Sequence, residues 1–394
     1  MHVRPGYKRT EVGAIPADWE CVRMNALGQF KNGINKGSEA FGHGSPFVNL
    51  MDVFGVSSIS SVGALGLVET NAVEQKAYDL RRGDVMFVRS SVKPAGVGLT
   101  AVVEADLPQT VYSGFLIRFR DGGLLDDSFK RHCFHSAAFR NKLIGASSVS
   151  ANTNINQDNL RKLQIAVPPT VAEQRAIGTA LSDVDAMLVR LDALIAKKRD
   201  LKQAAMQQLL TGQARLPGFG GEWEVKQLLE ICQMKSGEGI TSADIDDHSK
   251  YPCYGGNGLR GYARRFTHEG SYALIGRQGA LCGNVLEVEG KFFASEHAIV
   301  VTPRNNTDIR WLAMVLDRMN LNQYSESSAQ PGLSVSRLLS FSSQVPPLEE
   351  QTAIATVFSD MDAELTALEA RRDKTRALKQ GMMQELLTGR IRLV

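Results

Sequence analysis

The twelve residues LKQAAMQQLLTG that begin at Leu201 return as LKQGMMQELLTG at Leu378, 177 positions later. Sliding the chain on itself by that step aligns residues 173–216 with 350–393, and 25 of those 44 positions are identical. A duplication of this size restricts the chain to folds built from two like halves, so it has to be accommodated before any single motif. Both copies start just after VPP (Val167, Pro168, Pro169 and Val345, Pro346, Pro347), run through EQxAI, SDxDAxL and LKQ, and end at LLTG. That is the order helix ends require. Proline lacks only an N–H that has no partner in the first turn, and glycine accepts the left-handed conformation of the C-terminal cap.

Within the first copy Ile177, Leu181, Val184, Leu188, Leu191 and Ile195 recur at steps of four and three, and in the second Ile354, Phe358, Met361, Leu365 and Leu368 do the same. This is a heptad seam. The apolar rhythm stops at Lys198 and Arg372 and resumes displaced at Leu201 and Ala205, and at Leu378, Met382 and Leu386, which predicts a phase slip in an otherwise continuous coil. Each helix is expected to run about 38 residues, roughly 57 Å at 1.5 Å per residue. A rod of that length with one apolar stripe has to bury it, and the other copy is the obvious partner. The intervening chain is long enough to allow either an antiparallel or a parallel pair. Apolar residues off the seam, Met187 and Leu194, either widen it or offer docking surface to partner helices.

The segments ahead of the helices also match. IPADWECVRMNALGQFKNG resembles FGGEWEVKQLLEICQMKSG, with Trp19 and Trp223 each fourteen residues before a glycine. GDVMFVRSSVKPAGVG parallels GSYALIGRQGALCGNV; both read as a short strand ending in Arg89 or Arg277 and followed by a glycine-containing turn. The heads mix short β-type runs with a few helices, such as residues 127–143 and 309–319. The expected fold class is therefore α/β (α+β): two mixed domains joined by two long helices, with an internal pseudo-two-fold repeat. The expected divisions are 1–169 for the first head, 170–212 for the central spacer helix, 213–347 for the second head and 348–394 for the C-terminal spacer helix. The heads differ in charge: residues 1–169 carry +4 (19 basic, 15 acidic) and residues 217–347 carry −2 (12 basic, 14 acidic).

At 394 residues the chain is long enough for two or three self-sufficient cores. Its five cysteines are scattered without a C-x-x-C pair, which favours neither a disulfide framework nor a zinc knuckle. With no apolar leader and no long apolar run, a cytoplasmic protein with no membrane partner is expected. The net charge of +3 does not by itself announce a nucleic-acid binder, so any such role rests on local patches.

Like rods carrying unlike heads suit two recognition modules held at a fixed distance. Duplex DNA fits best, because its subsites recur at a fixed rise and a rod of roughly 57 Å spans about 17 base pairs. The doubled PPxxEQxAI…SDxDAxL…LKQxxMQxLLTGxxRL helix, with its intervening head, resembles the specificity subunits of type I restriction-modification systems over essentially the whole chain. The resemblance implies two target-recognition domains, each reading one half of a split asymmetric double-stranded DNA site, and long helices packed as an antiparallel coiled coil that sets the gap. It further implies docking of two modification (methyltransferase) subunits, which carry the S-adenosylmethionine and the adenine chemistry, and recruitment of restriction subunits. The chain itself would hold no cofactor and no catalytic residue. The absence of an Asp/Asn-Pro-Pro-aromatic motif and of a G-x-x-x-x-G-K-[ST] loop agrees with that division of labour.

Base reading calls for Arg or Lys facing guanine and Asn or Gln facing adenine, among phosphate-holding Lys, Arg and Ser. The first head offers Lys31, Asn35 and Lys36; Arg89, Ser90, Ser91 and Lys93; and Asn152, Thr153, Asn154 and Asn156. The second offers Lys235 and Ser236; Arg260, Arg264 and Arg265; Arg277 and Gln278; and Ser327, Ser328 and Gln330. His43, His132, His135 and His297 lack metal-ligand spacing and are expected to be structural, with no metal site. Trp19 and Trp223 are expected to anchor cores. GGNGLRGYARRF lacks the lysine-serine ending of a phosphate loop. A coiled-coil scaffold that joins proteins without reading DNA is the alternative, and a self-contained modifying enzyme lacks its cofactor motif.

Overall fold

The computed structural model describes residues 4–279, 281–325 and 332–393. The chain divides into two compact units, Met1–Asp192 with Arg371–Val394, and Ala193–Ala370. The division falls inside the two long helices, Val171–Leu209 and Leu348–Leu386, each of 39 residues. Each unit therefore holds one head, the start of one long helix and the end of the other.

In the first unit a five-stranded sheet runs in the order Gly28–Asn32, Leu116–Asp121, Val85–Val88, Thr100–Val103, Ser58–Ile59. The runs VMFV and TAVV are buried at every position, as expected of strands covered on both faces. One face packs Phe30, Phe87 and Phe119 against Phe134, Phe139 and the fully buried Trp19, together with Ile177 and Leu181 of the first long helix and Leu386 of the second. Residues 127–143 form two helices rather than the expected one, Asp127–Cys133 and Ala137–Gly145. Ser136 makes the break by capping the second helix, its side chain accepting from the Phe139 amide.

In the second unit a seven-stranded sheet contains the same four-strand order: Cys232–Ser236, Ala298–Pro303, His268–Gly276, Val285–Ala294. The strands that open the heads pair with the strands that lead into the long helices. Glu20–Arg23 lies antiparallel to Gln164–Val167, and Glu224–Gln227 to Ser342–Val345. The matched WE and VPP motifs are thus neighbours in each unit.

The long helices run antiparallel. In the first unit Asp185 meets Lys379 at 2.5 Å and Asp192 meets Arg372 at 3.9 Å; in the second Lys198 meets Glu364 at 2.7 Å and Lys202 meets Asp362 at 2.5 Å. The seam residues Ile177, Leu181, Leu191, Ile195, Ile354 and Phe358 are buried, and Val184, Leu188, Met361, Leu365 and Leu368 half-buried. The expected phase slip is overturned. Leu201 and Leu378, where the seam was to resume, are 48% and 59% exposed. The covered positions continue the unbroken three-four rhythm through half-buried Lys198, Lys202 and Ala205 to buried Leu209, and through half-buried Arg372, buried Thr375 and half-buried Lys379 and Met382 to buried Leu386. Long basic side chains lay their methylene stems along the seam while their charged ends reach carboxylates on the facing helix. The heptad is continuous although the hydrophobicity is not.

The repeated motifs meet at the helix ends. In the first unit Gln174, buried, accepts from the Asp126 amide and donates to the carbonyls of Leu124 and Pro168. In the second Gln351 accepts from the Asp308 amide and donates to Asn306 and Pro346. Asp126 and Asp308 each cap a head helix, so the Gln of EQxAI fixes the start of a long helix to its head.

Candidate nucleic-acid interface

Each head carries the same tight turn beyond the central strands. In the first, Ser113 Oγ accepts from the Phe115 amide at 3.2 Å and Ser113 O accepts from the Leu116 amide at 2.9 Å. In the second, Ser295 Oγ accepts from the His297 amide at 3.4 Å and Ser295 O accepts from the Ala298 amide at 2.9 Å. An arginine follows the adjacent strand in both. The Arg89 amide donates to Phe115 O at 2.8 Å, and the Arg277 amide to His297 O at 2.9 Å. The segment that leads toward the long helix then closes on each arginine, Ile155 N donating to Arg89 O and Leu333 N to Arg277 O.

Three loops of the first head converge on this turn. Arg89 Nη1 donates to Gly114 O at 3.2 Å. Ser90–Ser91 pairs antiparallel with Thr153–Asn154, which pairs in turn with Ser148–Val149, so Arg89, Ser90 and Asn154 share one ribbon with Asn152 at its bend. Lys93 is exposed just beyond it. Asn35 is exposed and lies so close to Gly114 that a Cβ there would stand 1.9 Å from its Oδ1.

Four expected residues leave the set: Thr153 is buried, the Asn156 side chain caps the Gln157–Lys162 helix by accepting from the Asn159 amide, and two lysines are paired within the head. Lys31 donates to Ala77 O and lies 4.8 Å over the Tyr78 ring, and Lys36 binds both oxygens of Glu74 at 2.7 and 2.9 Å. The Lys36 hydrogen bond, foremost, holds the Glu74 carboxyl below its ordinary value. Both ammonium groups are committed within the head. Their residue type was visible in the sequence, their partners were not.

In the second head Arg260 lies across Gly255, Gly256 packs on the Gln278 backbone, and Gln278 Oε1 is 3.0 Å from His297 Nδ1, gathering Arg260, Arg277 and Gln278 beside the turn. Arg265 reaches Glu238 at 2.7 Å and sits 4.8 Å over Phe293, whereas Arg264 and, on the edge strand, Lys235 are exposed. Gln330, with Ser327 and Ser328, lies outside the described residues.

In sequence Glu296 and His297 align with Gly114 and Phe115, a mismatch that counts against a catalytic pair in both heads; that the two pairs form the tips of like turns is a property of the fold. Phe115 is 57% exposed, and on the neighbouring ribbon Val92 and Val149 are 81% and 76% exposed. In YSGFLIRF, Phe115 reads as one more apolar residue of a strand run. The one available signal was its alignment with His297.

The model of the type I restriction modification DNA specificity domain matches residues 16–199 and 220–376, one copy for each half. The chain belongs to this family. Among curated specificity-domain relatives it is 45% identical over 145 residues to the type I restriction enzyme EcoprrI specificity subunit of Escherichia coli, covering 36% of each chain. It is 27% identical over 212 residues to the putative type I restriction enzyme MjaX specificity subunit of Methanocaldococcus jannaschii, covering 52% of this chain and 48% of the relative. The matches thus span about a third to a half of these curated relatives. The fold is that of a solved type I restriction-modification S subunit from M. genitalium, at a TM-score of 0.62 and 16% identity over 98% of both chains. Among the described residues no group of His, Cys, Asp and Glu is placed to hold a metal ion, and no helix is long and apolar enough to cross a membrane.

Proposed function

We propose that this specificity-domain chain reads a split, asymmetric site on double-stranded DNA, one half with each head, and positions two methyltransferase subunits on it. The observation that carries the reading is the shared turn. Each head sets an arginine and a cluster of amide and hydroxyl side chains around the same backbone device, and varies the side chains at its tip. Arginine, asparagine, glutamine and serine supply the donor and acceptor sets that base edges and phosphates require.

In this reading the chain contributes address and no bond-making step. S-adenosylmethionine and the adenine chemistry belong to the modification subunits, and restriction subunits join the same assembly. Exposed apolar residues along the long helices, Met187, Val189, Leu194, Leu201 and Leu378, supply docking surface for those partners.

The test is single-molecule sequencing of methylated adenines in cells carrying the chain with its neighbouring modification gene, compared with cells lacking only the chain. The expected result is a split motif that vanishes with the chain. Replacing residues 217–347 by another such domain should change one half of that motif. Methylation indifferent to the chain would leave only the protein scaffold.

A further inference from the structure

We infer that Phe115 and His297 are equivalent reading positions, and that Phe115 reads its half-site through the C5-methyl group of a thymine whereas His297 reads through hydrogen bonds. The inference rests on the DNA-reading function proposed above and assigns its discriminating side chains.

The two turns share everything that positions them: the serine that accepts the turn hydrogen bonds, the arginine amide that ties the third residue, and the incoming segment that ties the arginine. They differ at the two residues of the tip. A device whose backbone is common and whose tip varies is suited to two heads that must read different sequences. Contacts that fix register are shared, and contacts that specify bases are not.

The tips are chemically opposite. Phe115 presents a ring that neither donates nor accepts through nitrogen or oxygen, 57% exposed among polar loops, with the exposed Val92 and Val149 on the neighbouring ribbon. Gly114 beside it leaves room for the Asn35 amide, which a Cβ at that position would push aside. The first head thus offers an apolar face flanked by an amide. Thymine is the base whose major-groove edge offers a methyl group, and apolar side chains are its partners.

In the second head Glu296 replaces Gly114. His297 Nδ1 lies 3.0 Å from Gln278 Oε1 and Nε2 lies 3.1 Å from Glu296 Oε1. That tip is a connected set of donors and acceptors, suited to a base edge read by hydrogen bonds.

The experiment uses the chain assembled with its modification subunits and duplexes bearing the motif found by methylation sequencing. In the half-site assigned to the first head, each thymine is replaced singly by deoxyuridine, which removes only the methyl group. One replacement should weaken binding by the wild-type complex about fourfold, the worth of one buried methyl, and should leave binding by a Phe115→Ala complex unchanged. His297→Ala should relax the other half-site alone, and it also identifies which half belongs to which head. Phe115→Asn replaces the ring with a polar amide and should also lose the thymine sensitivity, so it serves if the alanine variant fails to assemble.

A first half-site without thymine on either strand, or equal sensitivity of wild type and Phe115→Ala at every position, overturns the inference while leaving the split-site reading intact. A uniform loss across all sequences would do the same, making Phe115 a positioning residue. If the wild-type complex methylates no split motif, it is the function itself that fails.

Discussion

Arg215 closes both prongs of its guanidinium on the carboxylate of Glu350, Nε to Oε1 and Nη2 to Oε2, each at 2.6 Å. Glu350 is fully buried and also accepts from Trp223 Nε1 at 3.1 Å, while the guanidinium lies 5.4 Å over the Trp223 ring. Arg392 repeats the grip on Glu173, adds Asp18 at 3.1 Å, and lies 5.8 Å over Trp19. Three motifs that recur in the sequence, WE, EQ and LLTGxxRL, are the three parts of one clamp in each unit.

Arg215→Ala should therefore destabilise the second unit, because it leaves the buried Glu350 carboxylate with Trp223 Nε1 as its remaining side-chain donor. Arg215→Lys should recover only part of that, since an ammonium cannot reproduce the paired prongs. Urea unfolding of the variants measures both. A loss below about 1 kcal/mol would mean that Glu350 finds other partners.

The sequence revealed that these motifs repeat, because local patterning survives in a string of letters. It did not reveal that they meet, because Arg392 and Asp18 stand 374 positions apart. The seam shows a second limit. Hydrophobicity alone put a slip at Lys198 and Arg372, where packing keeps the rhythm and fills it with long basic side chains. In the first head Arg89, Asn35 and Asn154 were legible as loop residues and do gather at one turn, whereas Lys31 and Lys36 bear the right charge and face inward partners. Charge type can be read from sequence; the partner it finds is a property of the fold.

The paired lysines of the seam allow a cycle of charge reversals. Lys202 meets Asp362 and Lys379 meets Asp185, positions related by the same 177-residue step. Lys202→Glu should cost about 1 kcal/mol by opposing two carboxylates, and adding Asp362→Lys should restore most of it. Thermal unfolding of the four species gives the coupling. An additive cycle would show that the pair only decorates the helices.

Gln351 should tolerate no substitution. Its amide donates to Asn306 and Pro346 and accepts from Asp308 N at 2.9 Å, all at a buried site. Gln351→Ala should cost about 3 kcal/mol through orphaned backbone groups. Gln351→Glu should cost at least as much, because a carboxylate cannot donate to two carbonyls. Faster hydrogen exchange at the Asp308 amide is the local readout, and an unchanged rate would count against the amide as the pin of the helix start.

His132 makes the first unit sensitive to acid. It is 3% exposed, with Nε2 at 3.0 Å from Ser182 Oγ and Nδ1 at 4.0 Å from Asp185, and burial above all pushes its imidazole down to about 4. Asp185 opposes that shift, while Lys379, His135 and Arg131 reinforce it. Between the ordinary value of 6.5 and about 4 the unfolded chain binds a proton that the folded chain refuses. Stability is therefore flat in this term above pH 6.5 and falls as the pH drops toward 4, by about 3 kcal/mol in all. His135, pushed down by the same burial, steepens the fall. His132→Gln keeps a partner for Ser182 and removes the titration. Guanidinium unfolding at pH 7.5 and 5 should show a smaller difference for this variant than for the wild type, and equal differences would mean that the imidazole is protonated in the folded chain.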